Sequence, residues 1–476
     1  MQPVVIIMAG GIRDALGISL RPGAVVISEG RILDVLPPET AKTKYPHARI
    51  INHFQHLLLP MFVNAHAHLD LTLMGSRSYG GKFADWLLEI AQIRRLNIEK
   101  NRGTSGINAV GQTTTSSQPG QQNTQDLQAD DIRRSVLQGL KWSEQAAVGW
   151  IGDIAGSPQA AQARLLAPPD AALPGVSFVE CMGIGQQQME GFVSLMKALT
   201  EISRELDHHS KHRLKEKKQN TKVDWRLHLP SGVGISPHAP YTAGETLYAL
   251  ATQWATQRQI PLCTHLAESP AELEFLNTLT GPLVELRKKL GRWDSALQPS
   301  GKHPVDWLQP ILEQNGPHWL LVHANYLDPK HIEIIAQSHA SVVYCPLASA
   351  YFGFPHDREH PYQQLINAGV NVCLGTDSIL CQPESELQPM GVWPQMRYLY
   401  RRDGIDAGVL LQMATLNGLQ ALGINSKQAT LAVGNPARFA MIEIEPGNPR
   451  DLLEQALISD RKIHPWTIYH LNDNSF

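Results

Sequence analysis

The sequence lacks several features that would assign a protein to a specialised class. Its 41 Lys and Arg residues nearly match its 44 Asp and Glu residues, and without a basic excess we expect no nucleic-acid partner. No apolar run approaches the roughly 18 residues that a membrane-spanning helix needs. The five cysteines form no C-x-x-C pair, and the N-terminus has neither the basic flank nor the apolar length of a secretory signal. These absences favour a cytoplasmic protein with reduced thiols and no membrane partner.

The distribution of apolar residues predicts the fold class. The chain has 476 residues, 43% of them hydrophobic, which is enough for one large domain with an accessory piece or for two domains. From about residue 57 to 425, short apolar runs alternate with longer helical segments, the pattern of parallel βαβ units that close into a barrel. The predicted strands are Leu58–His66, Val148–Ile154, Val176–Met182, Val233–His238, Pro261–His265, Trp319–His323, Ser341–Cys345 and Asn371–Asp377.

Both ends of the chain have a different pattern. Residues 1–56 alternate short apolar runs with turn residues rather than with helical segments. Residues 431–443 predict a turn and a strand, which could return to pair with the N-terminal strands. Those N-terminal strands are predicted at Val4–Met8, Ala24–Ile27 and Ile32–Val35.

Two segments within the predicted barrel look inserted. Residues 112–128 are rich in Gln, Thr and Ser, a composition typical of a surface loop. Residues 205–222 are charged and contain three histidines, His208, His209 and His212. These three could chelate a metal on one helical face, although a solvated surface helix is the favoured interpretation.

Two histidines, His66 and His68, lie at the end of the first predicted barrel strand. Because alternate residues on a strand point to the same side, their imidazoles converge on one point. Two neutral imidazoles that converge in this way make half of a metal site. The chain has 20 histidines, however, so an isolated His-x-His pair also arises by chance.

Titratable side chains also stand where four other predicted strands end. The carboxyl ends of parallel barrel strands form the face that carries active sites, and burying polar groups unpaired is costly, so a shared site explains the pattern. Each residue alone also has a structural explanation, as part of a surface pair, a core histidine, a turn or a helix N-cap. The residues are His238, His265 with Glu268, His323 and Asp377.

The segment after the fifth strand contains a clear helix start. Ser269 is a good N-cap, Pro270 suits the first helical position, and Glu272 stands where a capping box would have its acidic residue. The preceding residues, His265 to Glu268, therefore lie at the carboxyl end of a strand.

Taken together and in this order, the motifs resemble the amidohydrolase superfamily, in its metal-dependent deaminase and chlorohydrolase branch. The resemblance covers almost the whole chain. It implies a distorted (β/α)8 TIM-type barrel at residues 57–425, and a small β-sandwich built from residues 1–56 and 426–476. The matching motifs are Asn64-Ala-His66-Ala-His68, Ser236-Pro-His238-Ala-Pro-Tyr241, His265-Leu-Ala-Glu268, His323 and Gly375-Thr-Asp377-Ser378.

The resemblance also implies a cofactor, one divalent metal ion. Three imidazoles and one carboxylate suit Zn²⁺, with Fe²⁺ as an alternative. Members with two metals usually bridge them through a carboxylated lysine after the fourth strand, where this chain has His238, so a mononuclear site is expected. The implied ligands are His66, His68, His265 and Asp377.

The same resemblance implies catalytic roles. A metal-bound hydroxide would attack the substrate, and Asp377 would accept the proton of the water. His323 would orient the hydroxide, while Glu268 would protonate a ring nitrogen and then help ammonia leave. His238, Glu180 and Trp86 are candidates for contact with a small-molecule substrate. Glu180 could equally form a salt bridge inside the barrel, and Trp86 could equally be core.

The substrate implied is an adenine-type nucleoside. Glu268 favours deamination, and the segments 64–71 and 83–86 are most similar to deaminases of aminodeoxyfutalosine. Deaminases of S-adenosylhomocysteine and methylthioadenosine are close competitors. The alternatives are another hydrolase of C–N or C–Cl bonds, acting on a guanine, pterin, cytosine or triazine ring or on a cyclic amide, and a non-catalytic barrel. The sequence leaves a homo-oligomer open.

Overall fold

The computed structural model describes residues 4–103, 124–216, 231–314, 316, 318–445 and 450–467. Its strands form two sheets, one all parallel and one mixed, and its helices flank mainly the parallel sheet. The strands are β1 (Val5–Arg13), β2 (Ser19–Leu20), β3 (Gly23–Ser28), β4 (Arg31–Leu36), β5 (Arg49–Pro60), β6 (Phe62–Ala67), β7 (Val148–Ala155), β8 (Gly175–Cys181), β9 (Ser231–Pro237), β10 (Leu262–Leu266), β11 (Trp319–His323), β12 (Ser341–Tyr344), β13 (Asn371–Leu374), β14 (Arg438–Glu443) and β15 (Ile463–Thr467). The helices are α1 (Pro38–Lys44), α2 (Phe83–Gly103), α3 (Thr124–Gln145), α4 (Pro158–Leu165), α5 (Gln188–Glu216), α6 (Glu245–Arg258), α7 (Pro270–Thr278), α8 (Pro282–Lys289), α9 (Pro304–Leu312), α10 (Pro329–Ser338), α11 (Pro346–Phe352), α12 (Tyr362–Asn367), α13 (Val392–Asp403), α14 (Ala407–Met413), α15 (Leu416–Ala421) and α16 (Leu452–Ile458).

Strands β6 to β13 form a nearly closed parallel barrel. They lie side by side in chain order, and each neighbouring pair is parallel. An isolated bridge between Ala67 and Asp377 links the two outermost strands. The predicted (β/α)8 barrel is therefore confirmed.

The contact between the first and last barrel strands is made by hydrogen bonds at their carboxyl ends. The backbone N–H groups of Thr376 and Asp377 both donate to the carbonyl of His66, each at 3.0 Å. The Asn64 amide donates to the Thr376 hydroxyl at 2.8 Å and accepts from the Thr376 N–H at 3.1 Å. This seam places His66, near the end of β6, and His68, just after it, beside Asp377.

The second sheet is built from both ends of the chain. Its order is β15-β14-β5-β1-β3-β4, with β2 paired to β1. The predicted return of the chain is confirmed, because β14 pairs antiparallel with β5. The single strand predicted at Leu58–His66 is wrong, since β5 ends at Pro60 in this sheet and β6 begins at Phe62 in the barrel. Both strands are buried here, so the apolar run hides the junction between them.

The two segments predicted as insertions lie partly outside the described residues, which omit 104–123 and 217–230. Residues 124–128 begin α3 and residues 205–216 end α5. His208 and His209 are exposed on α5, as expected of a surface helix, and the side chain of His212 lies outside the described part. Over the helices that the structure describes, none has both the length and the apolar character needed to span a bilayer.

The seam gives a test of how the barrel is held together. Asn64→Ala removes two buried hydrogen bonds, so the free energy of unfolding should fall by about 1–3 kcal/mol. Urea denaturation followed by circular dichroism measures the change. The matched control is Asn52→Ala, an exposed asparagine of β5, which should change stability by less than about 0.5 kcal/mol. Equal changes in the two variants would contradict the role of the seam.

Candidate active site

The carboxyl ends of the barrel strands bring the predicted metal ligands together. The Nε2 atoms of His66 and His68 lie 3.6 and 3.4 Å from Oδ1 of Asp377. The ring of His265 lies 5.0 Å from that of His66, centroid to centroid. Among the described residues, three overlapping groups have ligand atoms within 4.8 Å of one another: His66, His265 and His323; His66, His68 and Asp377; and Glu268, His323 and Asp377.

The donor atoms of this cluster fit a metal ion. Both ring nitrogens of His66 are buried and have no hydrogen-bond partner. The His265 Nδ1–H donates to the His238 carbonyl at 2.9 Å, which leaves its Nε2 as a free lone pair. Burial lowers the pKa of His265 and lowers that of His66 well below the usual value, so both imidazoles are neutral, as ligation requires. The described site can therefore hold a divalent ion of the zinc type.

A carboxyl group and an imidazole stand beside these ligands. Oε1 of Glu268 lies 3.6 Å from Nε2 of His323. Burial, and next the charge of Asp377, raise the pKa of Glu268 well above its ordinary value. Burial also lowers the pKa of His323 well below its ordinary value. The arrangement favours a protonated carboxyl group next to a neutral imidazole, so Glu268 can deliver a proton.

The backbone at these strand ends is strained. Ala267, His323 and Asp377 have φ angles of 49°, 73° and 60°, in the left-handed region that non-glycine residues rarely adopt. Such conformations persist only where the surroundings enforce them. At His323 the support is His360, whose Nε2–H donates to the His323 carbonyl at 2.8 Å. Sequence reasoning missed His360, since it follows no strand and belongs to no motif.

A buried thiol contacts the aspartate of the cluster and was also missed. The Sγ atom of Cys381 lies 3.4 Å from Oδ2 of Asp377 and 3.2 Å from the Ser378 carbonyl. Burial raises the thiol pKa well above its usual value, so the group stays protonated and can donate. No sequence signal marks this cysteine, because it resembles the other buried cysteines of the chain.

The predicted capping box at α7 is only half formed. The Ser269 hydroxyl accepts from the Glu272 N–H at 3.3 Å, as expected. The Glu272 carboxylate does not return to the N-cap. It accepts instead from the N–H groups of Ala267 and Glu268, at 3.0 and 2.9 Å. These two amides precede the helix and have no partner within it, so they compete successfully for the carboxylate.

A cavity of about 580 Å³ lies over the cluster, within the usual range for small-molecule sites. All three residues predicted to contact substrate line it, namely His238, Glu180 and Trp86. Nε2 of His238 lies 3.9 Å from Oε1 of Glu180, and the Trp86 indole N–H donates to the Tyr351 hydroxyl at 3.1 Å. Arg292 also lines this cavity.

Comparison with known proteins assigns the family. The model of the amidohydrolase family matches residues 57–463. This chain belongs to the amidohydrolase family. The match covers the barrel and also β14, which belongs to the sheet built from both ends of the chain, in agreement with the fold.

Two curated relatives of this amidohydrolase are deaminases. The chain is 24% identical over 413 residues to an aminodeoxyfutalosine deaminase of Deinococcus radiodurans, covering 86% of this chain and 83% of the relative. It is 22% identical over 425 residues to a 5-methylthioadenosine/S-adenosylhomocysteine deaminase of Pyrococcus furiosus, covering 88% and 83%. The predicted enzyme class, a hydrolase of non-peptide carbon–nitrogen bonds, is confirmed.

Two solved structures share the fold of this amidohydrolase. The aminofutalosine deaminase of Helicobacter pylori, in complex with methylthio-coformycin, superposes with a TM-score of 0.67 at 18% identity and covers 95% of both chains. An adenosine deaminase of Xanthomonas campestris with bound zinc superposes with a TM-score of 0.64 at 18% identity, covering 97% of this chain and 91% of that one.

The position of each histidine, inside or outside the cluster, predicts whether its removal lowers the bound metal. His68→Ala removes a partly exposed imidazole, so the bound divalent metal should fall well below one equivalent, as measured by plasma mass spectrometry after gel filtration. Loss of a residue that only hydrogen-bonds to a metal ligand costs about 10–100-fold in metal affinity. Loss of a ligand itself should cost more. The matched control is His209→Ala on α5, which should retain the metal content of the wild type. Metal lost from the His209 variant instead would contradict the assignment.

Proposed function

We propose that this amidohydrolase is a metal-dependent deaminase that hydrolyses the exocyclic amine of an adenine-type nucleoside. One observation carries the proposal: buried Glu268 shares a group of closely spaced ligand atoms with His323 and Asp377. Amine hydrolysis on a purine needs a proton on the ring nitrogen beside the attacked carbon. A carboxyl group with a raised pKa, held beside the metal cluster, meets that need.

In this proposal one divalent ion is held by the donors that converge at the barrel mouth. When bound, zinc supplies a water of pKa about 7 and so a nucleophile at neutral pH. The absence of a lysine after β9, where His238 stands, supports a single ion. The proposed ligands are His66, His68, His265 and Asp377, with Zn²⁺ favoured over Fe²⁺.

The other side chains of the cluster divide the proton transfers. Asp377 accepts the proton of the attacking water, and its position between the His66 and His68 imidazoles and Glu268 supports this role. His323, neutral and with an unpartnered Nε2, orients the nucleophile and stabilises the oxygen that becomes anionic. Glu268 protonates the ring nitrogen and later takes up the hydroxyl proton of the adduct as the C–N bond breaks, while the proton held by Asp377 passes to the amine, which leaves as ammonia.

The cavity supports a planar substrate with an anionic tail. Trp86 and Phe83 present aromatic surface on one wall, and their rings are stacked at 6.4 Å, so a purine can pack there. His238 and Glu180 offer hydrogen bonds to the nucleoside. Among the described lining residues, Arg292 has the one permanently positive side chain. It favours aminodeoxyfutalosine and S-adenosylhomocysteine, which carry carboxylates, over 5-methylthioadenosine.

Ammonia release from a panel of compounds tests this function. The panel contains aminodeoxyfutalosine, S-adenosylhomocysteine, 5-methylthioadenosine, adenosine, guanine and an aminotriazine, and bound metal is measured on the same preparation. We expect ammonia from the adenine compounds. Because a hydrogen bond to a charged group is worth about 1.5–3 kcal/mol, kcat/KM should be roughly tenfold or more higher for those with a carboxylate.

The other possible results of the panel would each contradict a different part of the proposal. Ammonia only from guanine or the triazine would contradict the adenine assignment and leave another ring hydrolase. No ammonia from any compound, with the metal site filled, would contradict deamination. An empty site in protein produced with ample metal, together with no turnover, would indicate a non-catalytic barrel.

Glu268 gives the direct test of the proton donor. Glu268→Gln should keep the bound metal and lower kcat by about 10²–10⁴-fold, the usual contribution of a general acid. Steady-state kinetics and metal analysis on one preparation measure both effects. Glu274→Gln, an exposed glutamate of the neighbouring helix α7, is the matched control and should leave both unchanged. Undiminished turnover by the Glu268 variant would refute its role.

A further inference from the structure

A second buried glutamate lies close to the site, and no step of the reaction uses it. Glu272 is in the first turn of α7 and is fully buried. Within the described residues it forms no ion pair with a basic side chain, although burying a carboxylate without one is costly. Burial raises its pKa to about 7. The contacts of this buried carboxylate must therefore compensate for its loss of hydration.

Each oxygen of the Glu272 carboxylate accepts one backbone N–H. Oε1 accepts from Ala267 at 3.0 Å and Oε2 accepts from Glu268 at 2.9 Å. Successive amides that converge on one anion form an anion-binding concavity, and the left-handed φ of 49° at Ala267 belongs to it. The carboxylate therefore holds the peptide unit from which the Glu268 side chain extends.

The carbonyl side of the same segment is held by Asn325. Its amide donates to the Glu268 carbonyl at 2.9 Å, and its backbone N–H donates to the Ala267 carbonyl at 3.1 Å. The Asn325 side chain is fixed in turn by the Ser349 hydroxyl at 3.1 Å. With Glu272 on the amide side and Asn325 on the carbonyl side, little backbone freedom remains at Glu268.

We propose that Glu272 is a positioning residue that aims the Glu268 carboxyl group at the substrate ring nitrogen. The inference rests on the proposed function, because it assigns a partner to the proton donor of that reaction. Glu272 reaches Glu268 only through the backbone and is absent from the cavity wall, so it does not touch substrate. A 1 Å displacement of a catalytic group can cost about 10²-fold in rate.

The test compares an amine substrate with its 6-chloro analogue, so that a loss of Glu268 positioning can be told from a general loss of stability. Glu272→Gln keeps the shape but points an N–H₂ group at a backbone N–H. With the best amine substrate kcat should fall by about 10–100-fold, with KM and bound metal nearly unchanged. With the 6-chloro analogue, whose ring carbon is more electrophilic and depends less on a protonated ring nitrogen, the loss should be much smaller. Glu272→Asp, which keeps the charge on a shorter side chain, should show the same selectivity to a lesser degree and serves if the first variant does not fold.

Ser269→Ala is the matched control, because it removes the cap of the same helix and leaves both Glu272 carboxylate bonds in place. It should alter the amine and chloride rates by the same factor. Equal losses on both substrates in the Glu272 variants would overturn the inference while leaving the proposed function intact. A wild-type enzyme that releases no ammonia from any purine would overturn both.

Discussion

The arrangement of the site depends on the closure of the barrel between its first and last strands. The His66 carbonyl accepts two consecutive N–H groups from the segment that follows the last strand, while Asn64 contacts Thr376 through both ends of its amide. These bonds join residues more than 300 positions apart in sequence. Without them His66, near the end of β6, and His68, just after it, would face no carboxylate, and the remaining strand ends would have no common centre.

Closure of the barrel also buries titratable groups, and the resulting pKa shifts suit the proposed chemistry. Imidazoles and a carboxyl group are removed from water at one point, and burial drives each toward its neutral form. Neutral imidazoles are the form that binds metal, and a neutral carboxyl group is the form that donates a proton. Left-handed backbone at Ala267, His323 and Asp377 adds local strain at the same place. At two of these residues a buried side chain supports the conformation: His360 donates to the His323 carbonyl, and Glu272 accepts from the Ala267 N–H.

Much of this architecture could be predicted from the sequence. Parallel strands produce recognisable apolar runs, and polar residues at their carboxyl ends must share one face, so the barrel and the gathering of His66, His265 and Asp377 follow from spacing. Contacts that support the backbone around the site follow no recognisable sequence pattern. His360 acts on the His323 carbonyl from a separate segment 37 residues along the chain, and Cys381, only four residues after Asp377, belongs to no recognisable motif. Glu272 has a local sequence that equally suits a capping box. The β5–β6 junction was missed because both strands are buried.

The central claim is that one metal ion lies where β6, β10 and β13 converge. Anomalous X-ray diffraction at the zinc edge, from crystals of the zinc-loaded protein, tests it most directly. The account predicts one strong peak at about 2.0–2.2 Å from nitrogen atoms of His66, His68 and His265 and from an oxygen of Asp377. A peak only at the α5 histidines, or no peak at this point in protein that releases ammonia, would contradict it.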